Sequence, residues 1–227
     1  MSVPFYVSPE QLNQDKAEFA RKGVARGKPI VALDYEHGVV MIAENRSASL
    51  RKLGEVYDSI AFAGVGKFDE YENLRKQGVR YADLRGYSYS REDVVATGLA
   101  TEYSAALGNH FAQMYGKPFE VELLLCEVGE QKNDYYRIVF DGSVINRDCF
   151  ACIGGDTERL ERVLGEGWKP GLSLDAAVRL GRQTLSGQGA EGSSTLVPEN
   201  MEVVLLDRRR IGRRFRRLDA EAIRELE

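Results

Sequence analysis

Val7-Ser8-Pro9-Glu10-Gln11-Leu12, running on through Phe19-Ala20-Arg21-Lys22 to Gly23-Val24-Ala25-Arg26, spells a helix placed ahead of the first strand of the chain. Ser8 is an N-cap residue and Pro9 suits the first helical position. Gln11 can return a hydrogen bond to the cap as in a capping box, and Val7 with Leu12 matches a hydrophobic staple. The start of the helix is therefore well specified. Its apolar stripe is thin, consisting of Leu12, Phe19, Ala20 and Val24, while Asp15, Lys16, Glu18, Arg21 and Lys22 occupy the other faces. So little apolar surface leaves two readings open: a peripheral helix resting on its own domain, or one that packs between neighbouring subunits.

Downstream, Gly27-Lys28-Pro29 ends the helical pattern, and Ile30-Val31-Ala32-Leu33 turns at His37-Gly38 into Val39-Val40-Met41-Ile42-Ala43, a buried hairpin. A less regular section from Glu44 to Asp58 leads to the strand Ile60 to Val65. Phe68, Tyr71, Leu74, Tyr81 and Leu84 then recur at helical spacing. Ser90 reads as the cap of a second helix carrying Val95, Leu99, Tyr103, Leu107, Phe111 and Met114 on one face. Three strands follow at Val121 to Cys126, Tyr136 to Phe140 and Phe150 to Ile153, with Asp141-Gly142 as a turn signal. Helices are expected from Asp156 or Thr157 to Leu164 and from Ser173 to Thr184, then a glycine-rich loop from Gly187 to Ser194. A last hairpin joins Met201 to Leu206 with Ile211 to Phe215, and Asp219 caps a short terminal helix. Paired helices alternating with groups of strands predict an α+β fold, a four-layer αββα sandwich with an extra N-terminal helix. Residues 8–227 form one domain in this reading, and residues 1–7 a short tail.

The 227 residues can bury one substantial core, and 43% hydrophobic with 29% charged residues is ordinary for a soluble globular protein. No apolar run approaches the roughly 20 residues of a membrane helix. The N-terminus has neither a basic region nor a long apolar core, so no secretory leader is expected and the cytoplasm is the expected location. Three cysteines do not make a disulfide scaffold. The net charge of −4 conceals an asymmetry: residues 208–227 hold eight arginines against four acids, leaving the first 207 residues at −8. A basic tail of this kind can bind nucleic acid or an acidic protein surface.

Sites of recognisable chemistry are few. Cys149-Phe150-Ala151-Cys152 has the spacing of redox and zinc sites, but in a strand its two thiols face opposite sides and no second ligand pair exists. They read as buried structural thiols. His37 and His110 are far apart and support no catalytic triad. The glycines after Gly187 follow a helix and precede a strand, the reverse of a phosphate-binding loop. In Arg208-Arg209-Arg210 and Arg213-Arg214-Phe215-Arg216-Arg217, Ile211 and Phe215 are interleaved as in a strand with one apolar edge, which favours a solvated or subunit-facing hairpin over a nucleic-acid site. No metal and no cofactor is called for.

Taken together, Ser8-Pro9-Glu10, Phe19-Ala20-Arg21-Lys22-Gly23-Val24-Ala25-Arg26-Gly27 and the hairpin Ile30 to Ala43 resemble the opening of a proteasome α-type subunit of the actinobacterial kind, which has the N-terminal-nucleophile hydrolase fold. The resemblance runs from about Ser8 to Phe215 and includes Gly64-Val65-Gly66-Lys67 and Gly154-Gly155. It departs at the extreme N-terminus, where Pro4-Phe5-Tyr6-Val7 replaces the Tyr-Asp-Arg of archaeal and eukaryotic relatives.

The resemblance implies where a nucleophile would stand. In β-type subunits it is a threonine exposed at the head of the first strand, whose own α-amino group serves as base. Here that position falls near Lys28-Pro29, and the first threonine of the chain is Thr97. The chain is therefore expected to be catalytically silent. By the same resemblance, seven copies form a ring, with Leu12, Phe19, Ala20 and Val24 in the helices that pack side by side. Two such rings flank rings of β subunits that do the proteolysis. Ser2, Val3, Pro4, Phe5, Tyr6 and Val7 converge as a gate. Lys52 aligns with the lysine that pairs with the C-terminal carboxylate of a docking activator. The implied partners are the β subunit, a ring-shaped ATPase acting on proteins tagged with a small ubiquitin-like protein, and an ATP-independent activator. Two alternatives remain: a self-sufficient hydrolase using Ser2, and a nucleic-acid module using the arginine hairpin.

Overall fold

The computed structural model describes residues 8–47, 49–114, 116–187 and 196–226. The leading helix α1 (Pro9–Ala25) is followed by β1 (Ile30–Tyr35), β2 (Gly38–Glu44), β3 (Leu53–Tyr57) and β4 (Ile60–Gly66). Helices α2 (Phe68–Ser88) and α3 (Ala96–Ala112) come next, then β5 (Val121–Val128), β6 (Asn133–Ile138), β7 (Val144–Arg147) and β8 (Phe150–Ile153). The chain closes with α4 (Thr157–Gly167), α5 (Leu174–Ser186), β9 (Met201–Asp207), β10 (Phe215–Leu218) and α6 (Ala220–Glu225). The strands make two antiparallel sheets, ordered β10-β9-β2-β1-β8 and β3-β4-β5-β6-β7. Helices α4 and α5 pack on the first sheet, and α2 and α3 on the second. The result is the expected αββα sandwich.

Side-chain alternation explains why the central strands read as unbroken apolar runs. Ile30 and Ala32 of β1 enter the core between the sheets with Met41, Ala43, Leu124 and Val204. Their neighbours Val31 and Leu33 point the other way, into the core beneath α4 and α5 with Ile42, Leu160 and Val178. On the second sheet, Leu123 and Leu125 meet Leu74, Leu99 and Tyr103 of the covering helices. Strands with both faces buried have no polar side to show. The four caps named from the sequence or its helix starts are present: Ser8, Asp156, Ser173 and Asp219 accept from the backbone N–H of Gln11, Arg159, Ala176 and Ala222.

Several details differ from the sequence reading. The section before Asp58 contains a strand, β3, on the edge of the second sheet. Strand β6 starts at Asn133 and ends at Ile138, and a further edge strand, β7, follows it. Ser90 caps only a short 3-10 turn, because Val94 and Val95 are extended and α3 begins at Ala96. The partner of β9 is Phe215–Leu218; Ile211 lies fully exposed in the connecting turn, where Gly212 takes a φ of +73°. Cys149 is outside a strand, at a φ of +68°.

The leading helix lies across one end of the sandwich, against β4 and β5. Ala20, Gly23 and, unexpectedly, Lys16 are its buried residues, and Val24 packs on the inter-sheet core. The Lys16 ammonium donates to the carbonyls of Phe111, at 3.2 Å, and Gln113, so a cation closes the C-terminal end of α3. Leu12 is only partly covered and Phe19 is 45% exposed, with Lys117 Nζ 5.7 Å from its ring centroid. Gln11 donates to Asp15 Oδ1 at 2.8 Å instead of returning to the cap. Gly23 permits the close seating, since a Cβ there would stand 2.6 Å from Glu120 Cβ. Gly23→Val should therefore lift α1 and cost about 1–3 kcal/mol, read as a lowered denaturation midpoint of the full chain. An unchanged midpoint would mean that the contact carries no load.

Candidate functional site

The head of β1 brings together what the sequence keeps apart. On leaving α1, the backbone N–H of Gly27 donates to Val24 O at 2.9 Å, and the chain passes so close to β4 that a Cβ on Gly27 would stand 2.5 Å from a Val65 methyl. Lys28 and the buried Pro29 then lead into Ile30, which pairs with Ala43 at the end of β2. The next residue, Glu44, carries its carboxylate 3.5 Å from Lys28 Nζ. Into this corner reaches Lys52, from the residue just before β3: its Nζ donates to the Glu44 carbonyl at 2.8 Å and lies 3.5 Å from that of Lys28. An ammonium thus stands at the strand head, where neither a hydroxyl nor a thiol is present at Lys28 or Pro29.

Burial pushes the Lys52 amine down to about 8, opposed by the nearby carboxylates of Glu44 and Glu202. Glu202 is the organising residue, and the sequence reading missed it because it sits inside the apolar run of β9. Its carboxylate is buried and accepts from the backbone N–H groups of Lys52 at 3.0 Å and Leu53 at 3.3 Å, from Asn45 Nδ2 at 2.7 Å, and from Arg217. Arg217 also donates to Leu53 O at 2.7 Å. One ion pair from the first sheet therefore fixes the start of β3 in the second, and with it the position of Lys52. Because Glu202 is buried, removing Arg217 would leave its carboxylate without that partner, which is costly.

Beside Lys52 opens a cavity of about 810 Å³ between β3, α2 and the turn and strand that follow β9. Arg75 lies across Gly54, forks onto Glu72 at 2.8 Å through each of two nitrogens, and donates to Glu55 O at 3.0 Å. A smaller cavity of about 270 Å³, lined by Lys28, Pro29, Glu44 and Gly155, lies at the strand head itself.

Other residues singled out from the sequence are not part of this constellation. The Cys152 thiol is buried and pushed up to about 12, while Cys149 is only half-buried. His110 Nε2 lies 2.8 Å from Lys117 O, and His37 stands 3.4 Å from a Glu36 oxygen. Much of the arginine segment is engaged within the fold. Arg208 donates to Gly129 O and Asn133 Oδ1, Arg214 to Val128 O, Arg213 pairs with Glu55, and Arg217 with Glu202. Residues 2 to 7, expected as a gate, and most of the loop after Gly187 lie outside the described residues.

Two antiparallel sheets between helix pairs, with a charged corner at the head of the first strand, define an N-terminal-nucleophile hydrolase type of sandwich. The sequence profile described as "Proteasome subunit" matches residues 24–205. A protein of Sanguibacter keddieii named "Proteasome subunit alpha" is 48% identical over 229 residues, covering 100% of this chain and 89% of that protein. Relatives of the same name from Xylanimonas cellulosilytica and Renibacterium salmoninarum are each 48% identical, covering 98% and 100% of this chain and 95% and 96% of their own lengths. The chain belongs to the proteasome subunit family, on its α side. Among the described residues, no helix is long and apolar enough to cross a membrane.

Proposed function

We propose that this chain is the non-catalytic α subunit of a bacterial 20S proteasome core: it forms heptameric outer rings that admit substrate, while β subunits do the proteolysis. The observation that carries this reading is the head of β1. There the backbone arrives from α1 through Lys28 and Pro29, so the position offers neither a nucleophilic side chain nor a free α-amine to act as its base. What remains is Lys52, a half-buried ammonium with hydrogen-bonding capacity left over, which suits it to hold a carboxylate.

The rest of the proposal follows from enclosure. Peptidases facing a closed chamber attack only chains threaded into it, so control rests with entry. Residues 2–7 form the gate at the ring axis, and Lys52 pairs with the C-terminal carboxylate of a docking activator. The activators are a ring-shaped ATPase that delivers tagged proteins, and an ATP-independent one. The partly exposed Leu12 and Phe19 support α1 as a ring contact, because its own domain covers mainly Lys16, Ala20 and Gly23. The working location is the cytoplasm.

Co-expression with the neighbouring β-type chain, followed by measurement of particle mass, tests the assembly. A particle holding both chains in equal number, with seven-fold rings, is expected. A lone monomer in the presence of every β-type chain offered would overturn the proposal.

A further inference from the structure

The ring-and-gate reading leaves the arginine segment from Arg208 to Arg217 without a function. Strand β3 is the edge of one sheet and β10 the edge of the other, and the cavity of about 810 Å³ opens between them, with α2 as a further wall. The Lys52 ammonium is turned away onto the carbonyls of Glu44 and Lys28, neither of which lines this cavity. The charge of the cavity is therefore set by arginines.

Six arginines line it, against two carboxylates, Glu55 and Glu72. Both carboxylates are taken. Arg213 donates to Glu55 through two nitrogens at 2.9 and 2.6 Å, and Arg75 forks onto Glu72 at 2.8 Å. Arg217 is paired with Glu202, which stands outside the lining. These three pairs brace the walls. Arg51, Arg210 and Arg216 are left: all three are exposed, and none has a side-chain hydrogen bond or ion pair among the described residues. They come from the chain ahead of β3, the turn after β9 and β10 itself, so the fold gathers them on one concave wall.

Unpaired guanidinium groups on one concavity repel one another, and an anion seated among them relieves that repulsion. Leu53, Phe62 and Phe215 are buried beneath the same lining, and an apolar floor strengthens the field above it. The planar fork of arginine matches phosphate oxygens pairwise, and a cavity of this volume is of small-molecule size. Three separate cations favour an anion with several charges along a short chain over one with a single charge.

We propose that this cavity binds a small polyphosphate, held by Arg51, Arg210 and Arg216. The site is independent of the Lys52 ammonium and of the reading given to it. A nucleoside triphosphate and inorganic tripolyphosphate present the same recognised chemistry.

Titration calorimetry of the purified full chain with tripolyphosphate, magnesium-free ATP and orthophosphate tests the proposal, at about 50 mM salt so that screening is weak. Tripolyphosphate is expected to bind at least tenfold more tightly than orthophosphate, and the variant Arg51→Gln, Arg210→Gln and Arg216→Gln to weaken it at least tenfold. A control variant, Arg80→Gln, Arg162→Gln and Lys169→Gln, removes the same charge from exposed positions outside the cavity and should retain the affinity within about twofold. The single variants, each expected to weaken binding severalfold, carry the test should the triple one not fold. ATP and tripolyphosphate of equal affinity support the site with the phosphate chain as the recognised group. Tighter ATP, equally sensitive to the cavity variant, supports it with the nucleoside as an added contact. No binding, equal affinity for tripolyphosphate and orthophosphate, or equal loss in the cavity and control variants would overturn the proposal.

Discussion

Lys52→Ala is expected to abolish stimulation of the assembled core by an activator that docks through its C-terminal tail, bringing the ratio of activated to basal peptide hydrolysis down to about one. The magnitude follows from the environment. A charge-assisted bond to a carboxylate contributes about 1.5–3 kcal/mol, or roughly 10- to 100-fold in affinity per tail, and several tails on one ring multiply the loss. The same residue gives the effect a pH signature. Because burial holds the free Lys52 amine at about 8, a docking carboxylate draws its pKa back up, and binding must take up a proton once the free amine has lost it. Tail affinity should be flat below about pH 8 and should fall as the pH rises above it. Stimulation retained in the alanine variant would show that the carboxylate is held elsewhere.

Removing residues 2 to 7 should raise peptide hydrolysis by the assembled core several-fold while leaving particle mass unchanged. The segment ends where Ser8 caps α1, so its loss leaves both the cap and the seating of Lys16, Ala20 and Gly23 in place. A short peptide needs only an open axis, whereas a folded protein still needs unfolding. The deletion should therefore speed peptide cleavage and leave folded proteins resistant. Unchanged peptide hydrolysis would remove the gate from the proposal.

How far the sequence could be read depended on how local each signal was. Ser8, Asp156, Ser173 and Asp219 announce helix starts because a cap is an interaction three residues long. Strands β1, β2, β5 and β9 are plain because both faces are buried and the run is unbroken. Edge strands are not. Leu53-Gly54-Glu55-Val56-Tyr57 has only two buried residues, and its carbonyls at Leu53 and Glu55 are taken by Arg217 and Arg75, contacts no local pattern discloses. Strand β7 is exposed or half-exposed throughout. The hairpin register failed for a related reason: Ile211 looks like a strand residue, but the turn before β10 puts it in solvent.

The candidate site was legible only through the resemblance that singled out Lys52. Its construction depends on Glu202, 150 residues further along the chain, whose carboxylate lies hidden in an apolar strand. Lys16, which the sequence places off the apolar stripe of α1, gives no sign of its burial, because the carbonyls it satisfies belong to the end of a helix about a hundred residues away. Long-range pairing of this kind leaves no periodicity behind it.

The central claim is that this polypeptide encloses and admits, and that cutting is done by another. Hydrolysis of a fluorogenic peptide by the purified chain alone, beside the same chain assembled with its β-type partner, tests that claim most directly. Cleavage by the assembly and none by the chain alone is the predicted result. Cleavage by the chain alone that disappears in Ser2→Ala would contradict it.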